Sequence, residues 1–67
     1  SLNLEQELIN VYPLISDSNN EVLIVKFFTN YYSLQKYDKE IFKDLLIKEI
    51  LRYPDNDDLN QLYNKVK

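Results

Sequence analysis

The chain contains neither glycine nor alanine. Helices approach most closely where small side chains let their backbones meet, so every helix–helix contact here must instead be filled by large side chains. The sequence supplies them: its 67 residues include eleven Leu, six Tyr and three Phe. Lack of glycine also excludes the phosphate-cradling loops of nucleotide-binding folds, whose backbone must come close to its ligand. Cys and His are missing as well. That excludes disulfides, thiolate nucleophiles, Cys/His zinc sites and histidine acid–base chemistry. No cofactor and no metal site is expected, and no catalytic residue stands out.

Three breaks divide the chain, at 13–20, 35–38 and 53–56, and the segments between them read as helices. In the first, Asn3 and Gln6 form a capping-box-like pair, and Leu4, Leu8, Val11 and Tyr12 share a face. Pro13 is expected to end this helix, with Leu14 and Ile15 tucking inward as an irregular turn. Ser18-Asn19-Asn20-Glu21 reads as a capping box with Ser18 as N-cap. The run that follows, Val22 to Leu34, is too long without a breaker to be an ordinary strand. At 100° per residue, Leu23, Ile24, Val25, Phe27, Phe28, Tyr31, Tyr32 and Leu34 cover an arc of about 200°. One neighbour cannot bury so wide an arc, so this helix is central to the domain or shared with a partner. Asp38 caps the third helix, with Tyr37 stapling onto Phe42 and with Ile41, Phe42, Leu45, Leu46 and Ile50 in one stripe. Ile47 and Leu51 fall on its back. Pro54 closes it. In the fourth, Leu59, Leu62, Tyr63 and Val66 follow amphipathic spacing, and acids in the first turn with lysines at the end suit the helix dipole. The expected fold is all-α: four short helices at about 3–12, 19–35, 38–53 and 55–66, packed as antiparallel hairpins in a single domain, 1–67, or in a fragment of a larger helical protein.

Residues 31–41, Tyr-Tyr-Ser-Leu-Gln-Lys-Tyr-Asp-Lys-Glu-Ile, resemble the turn between the two helices of a tetratricopeptide (TPR) repeat. Tyr53-Pro54-Asp55-Asn56 is similar to the junction between one such repeat and the next, and Leu59, Leu62 and Tyr63 to the opening of the following helix. Tyr12-Pro13 and Tyr53-Pro54, 41 residues apart, both precede Asx-rich stretches that open helices. Phe28 and Glu40 stand where the pattern has small residues, and the turn-to-junction segment is two residues longer than the pattern. The resemblance implies stacked helix pairs, more splayed than in a standard repeat.

Charge narrows the choice of partner. The net charge is −3. Glu5, Glu7, Asp17 and Glu21 are the only charged side chains in the first 25 residues, whereas residues 26–53 carry six bases against four acids. Bases dispersed among acids make a poor nucleic-acid or anionic-membrane binder. No apolar run reaches the roughly 18 residues of a bilayer span, and no signal peptide opens the chain, so a cytoplasmic location is expected. Ser rather than Met at position 1 suggests a processed or excised chain. A domain this small draws only about 3–5 kcal/mol from its core, so a partner or self-association, as a homo-oligomer, is expected to help stabilise it.

Asp55-Asn56-Asp57-Asp58 invites a calcium reading, but an EF-hand loop starting at Asp55 would need Gly and Glu where Asn60 and Val66 stand. Helix capping accounts for these acids better. Glu49, near the centre of the third helix's stripe, is expected to form a partly exposed ion pair with Lys48 or Arg52. Tyr12, Tyr37 and Tyr53 are expected at the core edge with their hydroxyls in water, whereas Tyr31 and Tyr32 suit packing and recognition equally. The residue set therefore points to a non-catalytic protein–protein interaction or self-association module that binds through Tyr31, Tyr32, Ile47 and Leu51. The alternative is a small acidic inhibitor, an immunity protein or antitoxin, that masks a basic partner through Asp55, Asp57 and Asp58.

Overall fold

The computed structural model describes residues 3–67, which form four helices with no strand among them: α1 (Leu4–Asp17), α2 (Glu21–Tyr32), α3 (Lys39–Arg52) and α4 (Asp57–Val66). Each opens on an Asx side chain that accepts a hydrogen bond from the first turn. Asn3 accepts from the Gln6 N–H at 3.2 Å, Asn20 from Leu23 at 3.1 Å, Asp38 from Glu40 at 2.9 Å and Asn56 from Leu59 at 3.0 Å. These bonds satisfy donors that a helix start leaves unpaired.

Pro13 does not end the first helix. α1 runs through it to Asp17, with the ring on the exposed side. Proline's fixed φ is helical, so continuing costs one backbone bond and a local clash. Contacts to α3 offset that cost, because Tyr12 and Ser16, on either side of Pro13, both hydrogen-bond to Glu49. Ser18 is accordingly the C-cap of α1, not the N-cap of α2: its Oγ donates to the Ile15 carbonyl at 2.6 Å and accepts from the Asn20 N–H at 3.1 Å. The chain then turns at Asn19, whose φ of 54° is the left-handed conformation that Asn adopts more readily than most residues. α2 is shorter than the expected 19–35 and stops at Tyr32, where the Ser33 Oγ donates to the Asn30 carbonyl at 2.7 Å.

α2 is the central element, packed against α1, α3 and α4, while α3 also packs on α4. Its wide apolar arc is thus mostly covered within the chain. Without small residues at the contacts, aromatic rings fill the interior. Phe28 and Tyr31 of α2 meet Phe42 of α3 at ring-centroid distances of 5.8 and 5.0 Å, edge to face, and Tyr37 lies 5.3 Å from Phe42. Each such pair adds about 0.5–1.5 kcal/mol beyond area burial. Leu46, Leu59, Leu62 and Val66 complete the core on the α3–α4 side. Ile41, expected in the buried stripe of α3, is exposed, and Glu49 is buried in the core side of that helix instead.

Candidate functional site

The four residues expected to bind a partner do not form one surface. Tyr31 is 0% exposed, and its hydroxyl donates to Glu5 Oε2 at 2.6 Å. It belongs to the core. Tyr32 is half-buried and lines a cleft between α2 and α4 with Val25, Thr29, Gln61 and Lys65; the Lys65 ammonium sits 5.6 Å from its ring centroid. Ile47 and Leu51 do come together, one turn apart on the outer side of α3, opposite the buried Phe42, Leu46 and Glu49. Leu51 is 77% exposed. Asp44 and Lys48 lie exposed beside them, and Lys43 pairs with Glu40 at 3.2 Å.

A second exposed apolar surface lies on α1. Tyr12, with Leu8, Ile9 and Ile15, faces the core, while Leu4, Val11 and Leu14 are exposed, Leu14 at 72%. Sequence reasoning placed Leu4 and Val11 on the inner face and turned Leu14 inward. The Leu14 expectation follows from stopping the helix at Pro13, whereas Leu4 and Val11 lie at the outer edge of the arc that Leu8 and Tyr12 centre. Continued at 100° per residue, the same helix carries Leu14 to the Leu4–Val11 side, away from Tyr12.

Polar groups hold α1 in place at two points. Glu49, 1% exposed, accepts hydrogen bonds from the Tyr12 hydroxyl, from Ser16 Oγ at 2.9 Å and from Arg52 Nη1 at 2.8 Å. The expected ion pair forms with Arg52; its carboxylate is buried, while the Arg52 side chain stays partly exposed. Arg52 also donates to the Ser16 carbonyl at 2.9 Å and to Asn19 Oδ1, fastening the α1–α2 turn to the end of α3. Burial, and next the hydrogen bond to Glu49, push the Tyr12 hydroxyl pKa well above the ordinary phenol range. At the other end of α1, Glu5 accepts from Tyr31 and from the Asp38 N–H at 3.0 Å. Burial, then Glu5, raise the Tyr31 pKa in the same way. The Tyr12 hydroxyl is thus turned to Glu49 instead of to water, contrary to the core-edge expectation, and Tyr31 is a packing residue.

The Ser16–Glu49–Arg52 group does bring a hydroxyl, a carboxylate and a guanidinium together. Ser16 Oγ donates to the carboxylate and accepts from Arg52 at 2.8 Å, so it is committed on both sides. Surface clefts lie beside Asn3 and Lys36 and along α2 and α4. The group fastens α1 to α3. Asp55, Asp57 and Asp58 are exposed around the α4 N-terminus, and among the described residues no three acidic side chains are grouped to hold a metal ion. No described helix is long and apolar enough to cross a membrane. No protein-family model matches the chain, and no curated protein or solved structure matches it either.

Proposed function

We propose that the chain is a non-catalytic protein–protein interaction module, working in the cytoplasm, that self-associates through the outer side of α3. The exposed pair Ile47 and Leu51 carries this reading. Aliphatic side chains left in water beside a closed core, with charged neighbours around them, have the composition of an interface centre and rim. Covering a side chain as exposed as Leu51 contributes up to about 1.5–3 kcal/mol, and Ile47, already about two-thirds buried, adds less. The spatial order of the helices, each packed on the next and α2 also on α4, is in keeping with the stacked pairs that the TPR resemblance implies.

Sedimentation equilibrium at micromolar concentration tests the proposal. The wild-type chain is expected to associate. Ile47→Ser combined with Leu51→Ser should weaken association by more than about 2 kcal/mol while leaving helical circular dichroism intact. A wild-type chain that sediments as a clean monomer, or a double variant that associates unchanged, would overturn it. A second reading, the acidic inhibitor, draws support from the exposure of Asp55, Asp57 and Asp58. Salt separates the two, because a charge-steered complex weakens as ionic strength rises and apolar association hardly does.

A further inference from the structure

We propose that the outer stripe of α1 is a docking site for an amphipathic helix of another protein, one whose apolar face is flanked by Lys or Arg. The inference rests on the interaction-module reading but uses a different surface. Leu4, Val11 and Leu14 stand at i, i+7 and i+10, a spacing that keeps them on one side of a helix. All three are exposed, Leu14 most and Val11 least. From Leu4 to Leu14 the stripe runs about 15 Å, so a partner helix of three turns covers it.

The charges decide the occupant. α1 carries Glu5, Glu7 and Asp17 and no base. Glu5 turns inward to Tyr31 and Asp38, which leaves two exposed carboxylates: Glu7, at i+3 in the stripe's own row between Leu4 and Val11, and Asp17 beyond its Leu14 end. The base that reaches α1 from α3, Arg52, is bonded to Glu49, Ser16 and Asn19. A second copy presenting the same stripe would set these carboxylates against their equals, and like charges at an interface are strongly unfavourable. An anionic membrane surface is repelled for the same reason. A segment with leucines every third or fourth residue and lysines on either side satisfies both features at once.

The test uses the full chain and two synthetic 14-residue helical peptides with the same leucine stripe, one flanked by Lys and one by Glu. Fluorescence anisotropy is expected to show the Lys peptide binding at least tenfold tighter than the Glu peptide. Val11→Ser with Leu14→Ser should weaken it at least tenfold without loss of helical signal, and Glu7→Lys with Asp17→Lys should invert the preference. Equal binding of both peptides, no binding, or insensitivity to all four substitutions would overturn the proposal. So would a change of oligomeric state in the Val11/Leu14 variant, since the stripe would then belong to a second copy. Association through Ile47 and Leu51 is measured separately, so failure of the peptide to bind leaves that reading standing, and failure of self-association leaves this one standing.

Discussion

Taking a carboxylate out of water costs several kcal/mol unless its lone pairs are met by donors. Glu49 is buried with three donors on it, and one of them, Tyr12, can serve only while its phenol stays protonated. Tyr31 stands in the same relation to Glu5. Both phenols have pKa values raised above the 10.0 of a free tyrosine, by burial first and the facing carboxylate second. A group whose folded pKa lies above its unfolded one holds its full stabilising effect below the unfolded value and loses it as pH climbs further. The denaturant midpoint should therefore be insensitive to these two tyrosines below about pH 10 and fall above it. In Tyr12→Phe/Tyr31→Phe the alkaline fall should be shallower. Denaturation at stepped pH, with tyrosinate absorbance at 295 nm followed in parallel, measures both. Identical alkaline slopes in the two proteins would contradict this account.

Among the elements, α1 is the one whose own sequence works against it. Pro13 sits inside the helix, lacks the N–H that would bond the Ile9 carbonyl, and crowds the preceding turn. Pro13→Ala should raise stability, by as much as about 3 kcal/mol if the helix is otherwise unstrained. A denaturant melt gives the number. A loss of stability would mean that the bend at Pro13 aims Ser16 at Glu49. The ends of α3 and α4 were legible within one or two residues, because Asp38, Pro54 and Asn56 act locally and nothing distant opposes them. The α1–α2 boundary was not, because the bonds from Tyr12 and Ser16 to a residue more than thirty positions away outweigh a local breaker. That one misplacement propagated. It turned Leu14 inward, moved the cap from Asn20 to Ser18, and hid the Ser16 bond to Glu49. The outer side of α3 escaped the error, since Ile47 and Leu51 are located by angle within one uninterrupted helix.

For the whole molecule, stability is concentrated in the ring cluster where α2 meets α3. Phe42 is fully buried and contacts Phe28, Tyr31, Tyr32 and Tyr37. Removing such a ring costs about 3–5 kcal/mol, as much as a domain of this size holds in total. Phe42→Ala should thus abolish most of the helical signal at 222 nm and 25 °C, whereas Leu51→Ala should change stability by no more than about 0.5 kcal/mol. A folded Phe42→Ala protein would show that the core is spread more evenly than the rings suggest. The connections between helices are short: residues 18–20, 33–38 and 53–56. Apart from α2 with α4, the main helix contacts are between neighbours along the chain. Little loop-closure entropy precedes the first contacts, and helical chains of such topology fold in microseconds to milliseconds. Encounter with a partner at micromolar concentration, at typical rates of roughly 10⁵–10⁷ M⁻¹s⁻¹, takes about 0.1–10 s. The four-helix unit is therefore complete long before such an encounter, and the partner proposed above would meet a finished surface rather than a chain that folds around it.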